Sequence, residues 1–481
     1  MQCIEPAGRA PVSVLTPARW VLSPQWGAPL LLAALSVSLV AQGAFYPRAQ
    51  LWVAALLGAA LLALPGLHRL ARADRPVTLA LAGLAGWAVI GAVLHHDPRA
   101  AVPYLGLLIG VLAVMLACSG LDAGARDLVL TGLFGCGVLI ALLGWLGLAL
   151  HWQRWTWQGQ GLWRASSTLT YPNATAIILA MLALVTLARL TETPRSTRLA
   201  LGTTVLLTGL IATLSRAGLM AVAVGLLVLA VARGPRALLR AGWGPVLGAV
   251  VAAFGLVPTM TASSPRPVPA VLALAAGLAI SVGATALRPS RYGRRTPFSW
   301  YSQYSLVAVG GLALLALGFR LPGWSGLTAV TGARLTVDDP ERAASFHAAL
   351  QVFQQHWLIG AGPSLPSLTW APGTGSKVYR YAHNEYLQVL AELGIVGGVL
   401  LATLLATLVR RLYQRRRTGG AVSAGALAAT AALAFHAGFD FVWHIPAIPL
   451  LAAALVGLAS PEAPAGRITQ SAGETSRKEF R

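Results

Sequence analysis

One short stretch of the chain combines side chains that can move protons. Residues 381–388 read Tyr-Ala-His-Asn-Glu-Tyr-Leu-Gln, and an apolar helix is predicted to start there. Imidazole changes its protonation state near neutral pH, so His383 is a candidate general base. Asn384, Gln388 and Glu392 are spaced at i, i+4 and i+8, which places them on one stripe of the predicted helix. The stripe could support His383, or it could simply hold neighbouring helices together.

Glu392 lies deep in the predicted helix for a carboxylate. At 1.5 Å per residue it is roughly 12 Å further along the helix axis than His383. A carboxylate at this depth of an apolar helix is costly unless it faces protein or a water-filled cavity. The helix is therefore expected to pack against other protein segments along this stripe.

The composition indicates a membrane protein with many spans. The 481 residues are 56% hydrophobic and only 11% charged, with a mean hydropathy of +0.68, whereas soluble globular proteins are about 25% charged. The net charge of +21 could suggest a nucleic-acid-binding protein. The basic residues, however, stand in short blocks between apolar runs, which is typical of membrane-protein loops and not of a basic groove. We expect no nucleic acid partner.

Hydrophobic runs predict the fold class. About 12–14 of them are long enough, or nearly so, to cross a bilayer as helices, and they lie at 28–45, 51–67, 77–94, 102–119, 127–149, 173–190, 198–213, 217–232, 243–260, 268–287, 301–319, 385–409, 421–438 and 442–458. The sequence therefore predicts an all-α, polytopic transmembrane helical protein. The pair 198–213 and 217–232 could also be one broken element.

The predicted spans divide the chain into five regions. In order, these are a cytoplasmic N-terminal segment, transmembrane helices, a large outer loop containing short helices, further transmembrane helices and a disordered cytoplasmic tail, at 1–27, 28–319, 320–384, 385–458 and 459–481. With the N-terminus inside and the spans alternating, about two thirds of the 36 Lys and Arg residues fall on the inner side, as the positive-inside rule requires. Both termini are therefore predicted to be cytoplasmic.

Two outer segments differ from ordinary connections between spans. Residues 150–172 contain four tryptophans, a density that suits the membrane interface, although the rings could also stack on sugars. In the long outer loop, residues 341–357 have helical spacing after Pro340, a favourable first helical residue. The predicted apolar face of this helix contains Phe346, Leu350 and Phe353.

Three basic side chains lie on the outer side in this topology. Arg216 stands at the turn between two apolar runs, Arg342 opens the helix of the long loop, and His383 heads the next span. By themselves, Arg216 could reach lipid headgroups and Arg342 could be solvated. Together they suit a phosphate-bearing lipid, because guanidinium groups bind phosphate oxygens in a bidentate way and an imidazole can accept the proton of an attacking hydroxyl.

No pattern indicates a metal or a cofactor. Cys3, Cys118 and Cys136 lack metal-ligand spacing, and no cluster of carboxylates suggests a Mg²⁺ site. The outer loops also lack an acidic pair with the spacing of a glycoside hydrolase. We expect no metal and no cofactor.

Several motifs resemble a known family, in the same order along the chain. The stretch from His383 to Gln388, followed by Glu392-Leu393-Gly394, resembles the signature of the O-antigen ligase and O-antigen polymerase (Wzy-type) superfamily of bacterial membrane glycosyltransferases. Further stretches that resemble this family are Tyr171-Pro172-Asn173-Ala174, Ser215-Arg216-Ala217, Arg342 followed by Gly360-Ala361-Gly362, and His436, Asp440 and Pro446. The similarity covers roughly residues 130–458.

The resemblance implies metal-independent, inverting glycosyl transfer at the periplasmic face of the bacterial inner membrane. The implied donor is a glycan linked to undecaprenyl pyrophosphate, and the implied acceptor is lipid A-core or another glycan. Arg216 and Arg342 would hold the leaving pyrophosphate, and His383 would be the base or would orient the acceptor. The residues expected to bind substrate are Ser215, Asn384, Tyr386, Gln388, Asn173 and Asp440.

Other functions remain open at the level of sequence. Within the superfamily, a ligase, a polysaccharide polymerase and a protein O-oligosaccharyltransferase differ in their acceptor. Some members carry a bicarbonate-transporter label, but a transporter predicts paired broken helices in an internal repeat, and we find no repeat. A non-catalytic scaffold would leave the outer basic residues without a joint role. We favour a ligase or a polymerase, and of the two we take the O-antigen ligase reaction first.

Overall fold

The protein is a bundle of apolar helices. A computed structural model describes residues 23–64, 74–159, 161–287, 330, 340–371, 376–416 and 419–460. Within these ranges, nine helices are long and apolar enough to span a membrane, and four shorter apolar helices accompany them, which confirms the all-α polytopic fold class. The predicted span 301–319, the tail and nearly all of the N-terminal segment lie outside the described residues.

The described helices follow the predicted apolar runs. They are α1 (Gly27–Val40), α2 (Pro47–Ala63), α3 (Arg75–Leu94), α4 (Val102–Ser119), α5 (Ala123–Leu150), α6 (Pro172–Glu192), α7 (Thr197–Ala212), α8 (Arg216–Arg233), α9 (Pro235–Phe254), α10 (Val257–Met260), α11 (Pro267–Ala286), α12 (Pro340–Gln355), α13 (Glu385–Arg415), α14 (Gly420–Ala437) and α15 (Ala447–Leu458). The strands form two antiparallel hairpins, β1 (Thr156–Gly159) with β2 (Leu162–Ala165) and β3 (Leu368–Trp370) with β4 (Lys377–Tyr379).

Local signals in the sequence start several of these helices. Pro172 and Pro235 occupy the first positions of α6 and α9, where the missing N–H of proline is not needed. The side chains of Asp122 and Ser215 accept backbone N–H groups at the starts of α5 and α8. α6 is the central element, because nearly all of its residues are buried by α7, α8 and α14.

Polar contacts between helix ends fall into two groups, as alternating spans require. One group joins loops on the predicted outer side: His95 with Gly360, Arg164 with Thr213, and His151 with Thr259. The other joins loops on the predicted inner side: Arg411 with Asp74, Arg189 with Asp127, and Arg233 with Glu192. α7 ends in the outer group and α8 returns to the inner group, so 198–232 forms two separate helices that run in opposite directions. Which group faces the cytoplasm stays a prediction.

Ser460 joins three arginines at the inner end of the bundle. Its hydroxyl accepts hydrogen bonds from Arg411 at 2.7 Å and Arg415 at 2.9 Å, and its carbonyl accepts one from Arg126. Asp74, just before α3, pairs with Arg411 at 2.6 Å. The network joins α3, α5 and α13 to the end of α15, and buried charges are stable only when paired and hydrogen-bonded in this way.

α13 is broken at Gly394, and the loop after α12 fills the break. Gly394 has φ 66° and ψ −167°, a conformation that is accessible almost only to glycine. The N–H of Ile395 donates to the carbonyl of Trp357 at 2.8 Å. A Cβ on Gly394 would lie 2.3 Å from the carbonyl oxygen of Leu358. Irregular backbone within a spanning helix is tolerated here because protein groups satisfy it.

The predicted helix of the long loop is confirmed as α12, and its apolar face is only partly buried. Leu350 is 39% exposed, and Phe346 and Phe353 are only half-buried. The buried side chains are instead the small ones: Ser345, Ala348 and Ala349. Small residues let α12 approach α13 and β3 closely, and the hydroxyl of Ser345 also donates to the carbonyl of Ala382 at 3.0 Å.

Candidate active site

Asp440 is a buried carboxylate at which several distant parts of the chain meet. It follows α14 and has no exposed surface. The hydroxyl of Tyr171 lies 2.8 and 2.6 Å from its two oxygens, and the side-chain amide of Asn173 donates to Oδ2. The backbone N–H of Phe441 donates to Oδ1 at 2.9 Å. A carboxylate that receives this many hydrogen bonds is stabilised in its ionised form.

His383 donates the hydrogen bond that completes this arrangement. Its Nδ1 lies 3.1 Å from Oδ1 of Asp440. Burial by itself would raise the pKa of Asp440, but the hydrogen bond from His383 and the charge of Arg342 outweigh burial and lower that pKa to about 2. Because an ionised carboxylate can only accept, the proton of a neutral His383 must be on Nδ1. Nε2 then carries the lone pair and can act as a base.

Arg342 approaches the same carboxylate from α12. Its Nη1 donates to the carbonyl of Phe439 at 2.9 Å, and its Nη2 lies 4.0 Å from Oδ2 of Asp440. Its side chain remains 28% exposed. The guanidinium is thus held beside His383 by the loop after α14 while part of it stays accessible, so a positive charge and a base border the same position.

The backbone on both sides of His383 is fixed by hydrogen bonds. His383 itself has φ 50°, a left-handed conformation that costs free energy for a residue with a side chain. The N–H of Ala382 donates to Oε1 of Gln388 at 2.8 Å, and Oδ1 of Asn384 caps α13 by accepting from the N–H groups of Tyr386 and Leu387. These contacts hold the strained residue in place.

Glu392 is engaged in structural contacts. Its Oε1 accepts from Gln388 at 2.6 Å, and its Oε2 accepts from the hydroxyl of Tyr104 at 2.6 Å and from the N–H of Ser364 at 3.0 Å. It is 1% exposed, so it faces protein and not lipid, as its depth in the helix requires. Glu392 therefore fastens α4 and the loop after α12 to the helix that carries His383.

Arg164 connects the Asp440 cluster to the turn that carries Arg216. It lies on β2, is largely buried, and donates to Oδ1 of Asn173 at 3.1 Å and to the carbonyl of Thr213 at 2.8 Å. The hydroxyl of Thr213 in turn accepts from the N–H of Ser215. Ser215 caps α8, and Arg216 is the first residue of that helix. The tryptophan-rich segment thus forms a hairpin that positions this turn.

The structure brings most of the predicted site residues to one end of the bundle. His383, Arg342, Asn173 and Asp440 contact one another directly or through Asp440. Gln388 and Asn384 contact the backbone around His383, and the hydroxyl of Tyr386 donates to the carbonyl of Ala434 in α14 at 2.6 Å. Their assignment to substrate binding stays a prediction.

Sequence reasoning gave no role in the site to three residues that the geometry adds, although two of them, Tyr171 and His436, stand in the motifs quoted above. Tyr171 and Arg164 hydrogen-bond within the cluster, and His436 is fully buried one turn before Asp440. No hydrogen bond to either ring nitrogen of His436 occurs among the residues described. Tyr171 could have been found from its place beside Asn173, but no signal in the sequence singles out Arg164 from the other outer arginines.

A comparison with known families finds a match for part of the chain. Residues 270–402 match the family Wzy_C, described as O-antigen ligase. This match supports membership of the O-antigen ligase and polymerase superfamily. The matched region contains Arg342, His383 and Glu392, whereas Asn173, Arg216 and Asp440 lie outside it. A search of curated proteins finds no match. The family match and the apolar helices together indicate a multi-pass membrane protein of glycosyltransferase type. The matched family implies a lipid-linked glycan and a glycan acceptor as the general classes of substrate.

Proposed function

We propose that the protein is an O-antigen ligase-like inverting glycosyltransferase of the bacterial inner membrane. It transfers a glycan from undecaprenyl pyrophosphate to a hydroxyl of lipid A-core at the periplasmic face. The observation that carries this proposal is the shared carboxylate: Asp440 binds Nδ1 of His383 at 3.1 Å and lies 4.0 Å from Arg342. This arrangement puts a base next to a cation, as a transfer from a pyrophosphate donor requires.

The chemical step is a single displacement at the anomeric carbon. The acceptor oxygen forms the new bond to that carbon, the bond from the carbon to the pyrophosphate oxygen breaks, and its electron pair leaves with the pyrophosphate. Nε2 of His383 takes the acceptor proton, and Asp440 stabilises the imidazolium that results. Arg342 stabilises the pyrophosphate, whose negative charge grows as it leaves.

Arg216 is the second cation of the proposed site. Gly218, two residues after Arg216, packs against Ala176 near the start of α6. This contact keeps the turn close to Asn173. Arg216 and Ser215 would contact the pyrophosphate from the side opposite α12, and Asn384, Tyr386 and Gln388 would border the sugar. The same residues would serve a polymerase or a protein O-oligosaccharyltransferase, because these enzymes differ only in the acceptor.

The test is complementation of a deletion strain. Strains that carry His383→Ala or Arg342→Ala should lack glycan transfer while the variant proteins accumulate in the membrane to the wild-type level, as measured by immunoblotting. His356→Ala, an exposed histidine just after α12, is the matched control and should restore transfer. Full-length glycan in both site variants would contradict the proposal.

The product that is lost on deletion identifies the acceptor. Lipid A-core without O-chains, together with accumulated lipid-linked polymer, identifies a ligase. Chains of one repeat unit identify a polymerase, and loss of protein glycosylation identifies a protein O-oligosaccharyltransferase. A normal envelope together with impaired bicarbonate uptake would instead identify a transporter.

A further inference from the structure

A second pair of histidine and carboxylate lies beside the first. Nδ1 of His444 lies 3.1 Å from Oε2 and 3.3 Å from Oε1 of Glu385. Glu385 is 1% exposed and also accepts the N–H of Trp443, whereas the side chain of His444 is 25% exposed. The arrangement repeats that of His383 and Asp440: a buried carboxylate holds Nδ1 and leaves Nε2 on the opposite edge of the ring.

The two imidazoles flank the same pair of aromatic rings. The ring of His383 meets the edge of Phe441 at 5.0 Å, and Phe441 stacks on Tyr381 at 4.8 Å. The ring of His444 lies 4.4 Å from Tyr381 on the other side. Both histidines therefore belong to one surface at the outer end of the bundle, with two rings between them.

The charges around His444 favour its protonated form. Glu385 and Glu392 are the carboxylates that act on it, Arg380 is the opposing cation, and Tyr381 is the neighbouring phenol. Burial would lower the pKa of His444, but the charge of Glu385 and the hydrogen bond to it outweigh burial and raise that pKa. Arg380 lies 5.5 Å from the ring of Tyr381, so a second cation borders the same edge.

We propose that His444, held by Glu385, is an anion-binding residue that donates a hydrogen bond from Nε2 to a phosphate oxygen of the substrate. This inference rests on the proposed function, which supplies the phosphate. The oxygen belongs either to the pyrophosphate of the lipid-linked donor or to a phosphorylated sugar of the acceptor. Neither ring nitrogen of His444 bonds to any other group of the described chain, so Nε2 is available for this contact.

A purely structural role of the pair makes a different prediction. Glu385 fastens Trp443 to the start of α13, and an uncharged glutamine could also accept that N–H. If fastening were the whole role, Glu385→Gln and His444→Gln would change stability without changing how anion binding depends on pH. The protonated histidine matters only for the ligand, so the pH dependence separates the two roles.

The experiment measures binding of two probes to purified full-length protein in detergent between pH 5.5 and 9. Farnesyl pyrophosphate represents the donor and glucose 6-phosphate represents a phosphorylated acceptor sugar. His383→Gln serves as the background, so that the other imidazole of the cluster does not titrate. At pH values below the midpoint of the curve of binding against pH, we expect His444→Gln to weaken binding of one probe roughly tenfold. The variant should also remove most of the pH dependence of that binding. His356→Gln, the exposed control, should leave both unchanged.

Glu385→Gln provides an independent reading if His444→Gln does not fold. Without the carboxylate, His444 loses its proton at lower pH, so the midpoint of the binding curve should move down in pH. Unchanged affinity and an unchanged midpoint in both variants would overturn the inference while leaving the proposed function intact. Failure of the wild-type protein to bind either probe at any pH would contradict the proposed function and, with it, this inference.

Discussion

Asp440 and His383 are 57 residues apart in the chain, yet Oδ1 of the carboxylate lies 3.1 Å from Nδ1 of the imidazole. The pair joins the loop after α14 to the start of α13, and Tyr171, Asn173 and Arg342 converge on the same carboxylate. Four hydrogen-bond donors and one nearby cation surround this buried carboxylate, so it stays ionised and can orient the imidazole.

Replacing Asp440 by Asn should reduce glycan transfer by roughly a hundredfold or more, because the neutral amide can donate to Nδ1 and so favour the wrong tautomer of His383. Transfer is measured with purified protein, a lipid-linked donor and the acceptor. Asp127→Asn, an exposed carboxylate at the other end of the bundle, is the control. Transfer by Asp440→Asn at the wild-type rate would exclude the orienting role.

Acid should destabilise the wild-type protein in a pH range that is set by the pKa of Asp440. Its folded pKa is lowered to about 2, below the value of about 3.9 in an unfolded chain. A group whose pKa is lowered on folding contributes stability above its unfolded pKa and loses it as the pH falls through the folded pKa. The melting temperature of wild type should therefore fall between about pH 4 and 2 more steeply than that of Asp440→Asn. Parallel curves would show that Asp440 is not the group responsible.

Replacing Gly394 by Ala should lower the free energy of unfolding by roughly 2–5 kcal/mol, from backbone strain and overpacking together. The alanine would have to keep the backbone angle φ 66° of Gly394. Its Cβ would lie 2.3 Å from the carbonyl oxygen of Leu358. Thermal unfolding in detergent measures the change. Gly86→Ala in α3 meets nothing within 4 Å and should be neutral. Equal melting temperatures for the two variants would contradict the break in α13.

Chelation should leave glycan transfer unchanged. In the proposed reaction, Arg342 and Arg216 stabilise the leaving pyrophosphate, which is the role that a divalent cation has in many other transferases. Transfer is compared before and after treatment of the purified protein with EDTA. Activity that disappears with EDTA and returns only with added Mg²⁺ or Mn²⁺ would show that the prediction is wrong.

The sequence was sufficient for properties that depend on neighbouring residues. Apolar runs predicted the fold class and the positions of the described spans, because the length and hydropathy of a segment decide whether it can cross a bilayer. The start of α12 at Pro340 also followed from a local signal. The buried face of that helix did not, because the spacing of apolar residues identifies only the face of Phe346, Leu350 and Phe353, while close packing buries the small residues Ala348 and Ala349.

Only the tertiary structure decided how the polar residues combine. The sequence marks His383 as the head of a helix, but its tautomer depends on Asp440, which reaches it through the packing of α14 against α13 and α6. Glu385 and His444 are 59 residues apart, and no spacing rule relates them. Hydropathy is a local property that the chain carries in its order of residues, whereas a hydrogen bond between helices depends on their packing angle and register, which are set by all of their contacts together.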